Sequence, residues 1–415
     1  MKRISTDMPN NDMQYYMRRK EALLNSMQGK IAGQSRIQNL RDDPVAAAHS
    51  VVLKSNISRL KQFADNTGEV QSRGRVVEGY IQESLSIMHR LNEIAVQGAN
   101  GTYKKEETAM MGDEVNQLLN ELVQISNSRH GDGTALFSGD RSLSLAFRPV
   151  EGYVEGSGRE LITEVEYTGT INPGMAEVSD NAYVEQGFPG NTLFWAEQQI
   201  IISSRNSENF FVQNDSSVLI DGVKVDFKSG DNIHAVISRI NDSGAPVKAS
   251  LDPVKNSLTL STTEPHQLWI EDVSGGTVFQ ETGLVKAANT RPPHNIATDA
   301  RISGGSIFDM AIKLRDSLYT GNVIDIGSGS LKGIQDGISH LVSQAGKLGA
   351  RDERLELVKG RLEYQIPEIT AMDSRETDID LAEAITELKM LEFTHKASLQ
   401  TAARILKPTL LDFLR

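Results

Sequence analysis

The segment from Asp380 to Arg415 sets the first constraint on how this chain folds. Its apolar residues Leu381, Ile385, Leu388, Leu391, Leu399, Ala402, Leu406, Leu410 and Leu414 recur at helical steps of three or four, with His395 at the one gap. Asp380, followed three residues later by Glu383, supplies a capping pair for the orphan N–H groups of a helix start. No Gly or Pro occurs between Glu368 and Lys407. An isolated amphipathic helix is marginal in water, so a seam of this length needs a surface to lie against. The other end of the chain offers one, where Met13, Tyr16, Met17, Leu24, Met27 and Ile31 step along one helical face. On these residues alone an ordinary core helix and an assembly interface are equal readings. The position of the seams at the two ends favours assembly, because termini are normally the least ordered parts of a chain.

Gly29 and Gly33 loosen the chain after the first helix, and Arg41-Asp42-Asp43-Pro44 restarts it. Asp43 suits an N-cap, and Pro44 suits the first helical position, where its missing N–H costs nothing. From Val45 to Gly98 there is no proline, and the interior glycines are Gly68, Gly74 and Gly79. Unbroken, such a helix is a rod of roughly 80 Å at about 1.5 Å per residue. Gly98 to Thr102 makes a turn, and a third helix from Lys104 to Ser128 turns Val115, Leu118, Leu122 and Ile125 inward.

Beyond Gly133 the period changes. Leu143, Leu145 and Phe147 alternate with polar residues, and Asp221-Gly222 divides a hairpin running from Val218 to Phe227. Asp231 is expected to cap a short helix carrying Ile233, Val236, Ile237 and Ile240, and strands follow at Val247 to Leu251, Ser257 to Thr262 and Leu268 to Glu271. Helix returns after Pro292-Pro293 and Gly304-Gly305, in stretches from Ile307 to Leu318, from Ile334 to Leu348 and from Leu355 to Met372. Pro367 is expected to kink the last of these. The fold class is α+β: a long α-helical coiled-coil rod built from N- and C-terminal blocks, with a central β-rich insertion.

Composition excludes several functions. The net charge of -12 gives no basic footprint for nucleic acid, and the absence of cysteine removes disulfides and thiolate metal sites. No stretch approaches the roughly 20 apolar residues that span a bilayer, and the first residues hold no apolar run like that of a cleaved signal. The histidines never pair at metal-ligand spacing, and no HExxH, GxSxG or P-loop pattern occurs. Gly327, Gly329 and Gly333 read as a turn before a helix, and Glu376, Asp378, Asp380 and Glu383 as carboxylates at a helix start rather than a calcium loop. Hence no catalytic residue, no metal and no cofactor is expected. A sugar- or small-molecule-binding insertion is the rival from another class, weakened by its having only Trp195 and Trp269 as tryptophans.

Several runs carry a family resemblance. Arg41-Asp42-Asp43-Pro44 before an Ala-rich helix, Ala95-Val96-Gln97-Gly98-Ala99-Asn100-Gly101-Thr102, Leu136-Phe137-Ser138-Gly139 and Glu383-Ala384-Ile385-Thr386-Glu387-Leu388 resemble bacterial flagellins and their hook-associated relatives. The closing residues, Ala403 to Arg415, look more like the hook-filament junction branch, hook-associated protein 3, than like a filament flagellin. The opening Arg3-Ile4-Ser5-Thr6 and the run Ser306-Ile307-Phe308-Asp309 agree, and Val218 to Ile240 is similar to an insertion of hook-associated proteins.

The resemblance implies a structural subunit with no enzyme activity, exported through the flagellar type III channel to a flagellum that is extracellular or enclosed in a periplasm. Its implied partners are copies of itself in a ring or tube, the other hook-filament junction protein, flagellin and an export chaperone on the C-terminal helix. A filament flagellin is the alternative. The expected domains are a terminal coiled coil (1–40 and 376–415), a helical rod (41–140 and 301–375) and an outer insertion (141–300).

Overall fold

The computed structural model describes residues 8–141, 143–273, 275–286 and 291–405. In chain order its elements begin with helices α1 (Met8–Ala32), α2 (Pro44–Ala99) and α3 (Lys105–Ser126). Strands β1 (Phe147–Val154), β2 (Arg159–Tyr167), β3 (Met175–Ser179) and β4 (Ala182–Glu185) follow, then the helical turn α4 (Gly190–Leu193) and β5 (Ile200–Ile202). Next come β6 (Ser216–Ile220), β7 (Val223–Phe227), α5 (Ile233–Asp242), β8 (Val247–Leu251), β9 (Leu258–Thr262), β10 (Ile270–Asp272), α6 (Val278–Thr282) and β11 (Arg301–Ser303). Helices α7 (Ile307–Thr320), α8 (Val323–Asp325), α9 (Leu331–Thr377) and α10 (Leu381–Ile405) close the chain, with a π-helical turn at Ile326–Ser330 leading into α9. The α+β class stands, with long helices at both termini and strands between them.

Two compact units result: Met1–Asp65 with Lys359–Arg415, and Asn66–Val358. Helices α2 and α9 each contribute one part to each unit.

The larger unit, Asn66–Val358, holds two hydrophobic cores. The first joins Val77, Met88, Leu91 and Ile94 of α2 with Val115, Leu119 and Leu122 of α3, Leu314 and Leu318 of α7, and Ile334 and Leu341 of α9. Leu119 is the fully buried neighbour, while Leu118 only packs against this core. Aromatic rings seal it: Phe137 and Phe147 each meet Phe194 edge-on, at 5.0 and 5.4 Å between centroids, and Phe147 lies 5.0 Å from Phe308. Residues from Phe147 to Ala196 of the expected insertion therefore pack with the helices. Ser306 and Asp309 start α7 with a reciprocal capping box, and burial pushes the Asp309 carboxyl above its usual range.

The second core lies between residues 201 and 285, where the sheets β10-β6-β7 and β11-β5-β9-β8 enclose the apolar face of α5. The Asp221-Gly222 turn is as expected, with φ of 48° and 81°, the positive values a two-residue hairpin needs. Asp221 also receives His266 Nε2 at 3.0 Å, while His266 Nδ1 faces the Glu264 carbonyl at 2.8 Å. This buried pair fixes the hairpin tip to the segment that enters β10.

Three local expectations change. Asn232, not Asp231, caps α5, because its side chain accepts from Ala235 N at 2.9 Å; Asp231 instead accepts from Lys228 N at 2.8 Å and pairs with Arg239. Leu143 and Leu145 are exposed and precede the first strand, since the chain turns there on Ser144 N to Arg141 O. The expected breaks between Ile334 and Met372 are absent, and α9 runs through them as one helix. Pro367 stands inside this helix, and both it and Glu363, the residue left without an amide donor, are exposed, so water can serve the freed carbonyl.

Candidate assembly surface

In the smaller unit, α1 packs against α10. The pair is antiparallel, since Lys20 meets Ser398 at one level and Ser35 bridges Asp378 at the other. The more covered positions on α1 are Met13, Met17, Lys20, Leu24, Met27 and Ile31, in alternating steps of four and three. On α10 the same rhythm runs through Ala384, Leu388, Leu391, His395, Ser398 and Ala402. That is a heptad seam, in which one helix's side chains seat between those of the other. Its tightest points on α10 are small residues, Ala384 at 3% and Ala402 at 4% exposure.

Of the residues expected at the interface, Met13, Met17, Leu24, Met27, Ile31, Leu388 and Leu391 stand on this seam, half-buried. Tyr16, Leu381, Ile385 and Leu399 are exposed, Tyr16 at 59% and the other three above 40%. Leu406, Leu410 and Leu414 lie outside the described residues, as do Arg3 to Thr6 of the opening motif. Tyr15, Leu23, Met390 and Phe393 add to the exposed apolar surface of the two helices. Reading apolar residues alone missed Lys20, Ala384 and Ser398; the unbroken four-three rhythm was the signal that could have found them.

The loop from Gly33 to Asp43 fastens the pair. Arg36 N donates to Thr377 O at 2.8 Å, its guanidinium reaches Glu376 O at 2.9 Å, and both terminal nitrogens reach Asp43 Oδ2 at 3.1 Å. Asp43 in turn accepts from Ala46 N at 3.1 Å, capping α2 as expected, with Pro44 as the first helical residue. Asp42 accepts from Asn39 N and Gln38 N at 3.0 and 3.1 Å. The backbone donors hold both carboxyls below their usual range, that of Ala46 for Asp43 and those of Asn39 and Gln38 for Asp42; Arg36 assists Asp43. Arg41 is exposed and contributes charge beside Asp42.

At the start of α10, Asp380 Oδ1 accepts from Ala382 N at 2.9 Å and Glu383 N at 3.2 Å, the expected cap. Among the described residues no group of three acidic or histidine side chains could hold a metal ion, and no helix is long and apolar enough to cross a membrane. The arrangement offers apolar surface and helix caps, which suit the binding of another helix.

A chain whose two ends pair through a heptad seam while leaving large apolar side chains uncovered is built as a structural subunit. Models of the bacterial flagellin N-terminal and C-terminal helical regions match residues 4–142 and 331–414, together just over half of the chain, and the flagellin hook IN motif matches residues 209–264. The chain belongs to the flagellin family, whose members are components of the bacterial flagellum. Flagellin A of Vibrio cholerae is 24% identical over 402 residues, covering 97% of this chain and 96% of that protein. Among solved structures, hook-associated protein 3 of Legionella pneumophila aligns with a TM-score of 0.47 at 18% identity, covering 78% of this chain and 98% of that one. FlgL of Xanthomonas campestris aligns with a TM-score of 0.46 at 14% identity, over 78% and 99%.

Proposed function

We propose that this chain is the structural subunit of the hook-filament junction, exported to the flagellum and assembled through its terminal helices. The observation that carries the junction reading is the closing sequence, Ala403 to Arg415, whose pattern resembles the junction branch rather than a filament subunit. The uncovered apolar residues of α1 and α10 support the assembly reading, because a surface this apolar is normally buried by a partner. Residues 1–40 and 376–415 act as the assembly domain, 41–140 with 301–375 as the rod, and 141–300 as the outer insertion. The partners are further copies of this chain, the second junction protein on the hook side, flagellin on the filament side and an export chaperone on the C-terminal helix. No catalytic step is assigned to it.

Filament flagellin is the second reading, favoured by the nearly full-length similarity to Flagellin A. Deleting the gene and labelling the chain by immunogold on isolated flagella separates the two. A junction subunit gives label confined to the hook-filament boundary, and its loss sheds flagellin into the medium from cells that keep their hooks. Label along the whole filament would overturn the junction reading.

A further inference from the structure

We propose a binding site for an acidic saccharide, a sugar ring bearing a carboxylate, in the concave surface between the two cores of the larger unit. The depression has a volume of about 470 Å³ and is lined by Arg141, Thr170, Trp269, Glu271, Arg291 and His294, among others. Its size falls within the range of small-molecule sites. The inference is independent of the junction reading.

Trp269 and Glu271 are two residues apart at β10, so they leave the strand on the face opposite Ile270, which is buried in the second core. The indole is firmly set. Its backbone N–H donates to Asp221 Oδ1 at 2.9 Å, Asp221 is locked by His266, and the ring meets Tyr167 edge-on at 6.4 Å. Tyr167 is itself fixed by donating to the Thr170 carbonyl at 2.8 Å.

Across the depression, Arg141 uses one nitrogen to bond the Thr168 carbonyl at 3.1 Å, leaving further donors on its fork. Among the described residues neither the Arg291 guanidinium nor the Glu271 carboxylate has a side-chain partner, although both line the same depression. Each group matches one part of the proposed ligand. The indole suits the C–H face of a sugar ring, the guanidinium forks suit its carboxylate, and Glu271 with the Thr170 hydroxyl suits ring hydroxyls. A plain anion would gain nothing from Trp269 and would be repelled by Glu271. A neutral sugar would leave the arginines unused.

The chain holds two tryptophans, Trp195 and Trp269, and Trp195 is buried away from the depression, so it serves as an internal control. The full-length chain labelled with 15N-tryptophan is titrated with glucuronate, with glucose and with acetate, following both indole N–H resonances. Trp269→Phe assigns the peaks. Glucuronate is expected to move the Trp269 resonance saturably while that of Trp195 stays in place, with glucose and acetate at least about tenfold weaker. Arg141→Ala and Arg291→Ala should each weaken glucuronate about tenfold while both indole resonances keep their unliganded positions. No movement with glucuronate, equal movement with acetate, or equal shifts of both indoles would each overturn the proposal.

Discussion

Lys20 Nζ donates a hydrogen bond to Ser398 Oγ at 2.6 Å, joining residues 378 positions apart in the middle of the α1–α10 seam. His395 stands one heptad step away, its Nδ1 buried with no hydrogen-bond partner among the described residues. These polar residues interrupt an otherwise apolar or small-residue stripe. In coiled coils a polar position specifies register at some loss of stability, because sliding the helices would strand the buried polar groups. The Lys20–Ser398 bond is made in this alignment of the two helices and would be lost if they slid past one another.

The small residues of the seam make it sensitive to added volume. Ala384→Leu forces extra methylenes into a position that is nearly closed and should destabilise the helix pair by about 1–3 kcal/mol. Denaturant unfolding followed by far-ultraviolet circular dichroism should then show an earlier first transition. An unchanged unfolding curve would mean that α1 and α10 part readily at this point.

Leu388 is half-buried on the same stripe. Leu388→Asp is expected to stop assembly, since it places a charge where an apolar side chain meets α1. The larger unit should stay folded, and the near-ultraviolet signal of its Phe137, Phe147, Phe194 and Phe308 cluster reports on that. Normal flagellar assembly with this variant would remove the seam from the mechanism.

Asp42 and Asp43 give the loop before α2 an acid limit. Both carboxyls are held below the ordinary value of 3.8, so their stabilisation is complete above that value and is lost as pH falls through the lower folded-state values. The protection factor of the Ala46 amide, which Asp43 caps, should be high at pH 6 and fall as the pH drops below about 4. Asp43→Ala should show low protection at every pH.

The Asp221–His266 pair is the corresponding weak point of the second core. Removing the ring by His266→Ala takes away a hydrogen bond from a buried carboxylate and opens a cavity, and a loss of about 1–3 kcal/mol is expected for the larger unit. Adding Asp221→Asn should recover part of that loss, because the charge is gone while Trp269 N keeps an acceptor. If the double variant were no more stable than the single one, the carboxylate left without its partner would not be the source of the loss.

Elements whose causes are local were legible from the residues alone. Asp43 and Pro44 fixed the start of α2, Asp380 that of α10, and Asp221-Gly222 the hairpin between β6 and β7, because caps and tight turns depend on a few neighbouring residues. Apolar steps of three and four over many turns likewise made the terminal helices legible. Which side of α10 faces α1 was left to tertiary packing: of the expected stripe, Leu388, Leu391 and Ala402 lie on the seam while Leu381, Ile385 and Leu399 are exposed, and Ala384, which the stripe omits, is the most covered position. Two helices approach most closely where side chains are small, and a stripe drawn through large apolar residues passes over a small one such as Ala384. Tertiary context also drew Phe147, Tyr167 and Phe194 from the expected insertion into the helical core. Those outcomes depend on partners more than a hundred residues away, such as Phe308 for Phe147, which no local pattern encodes.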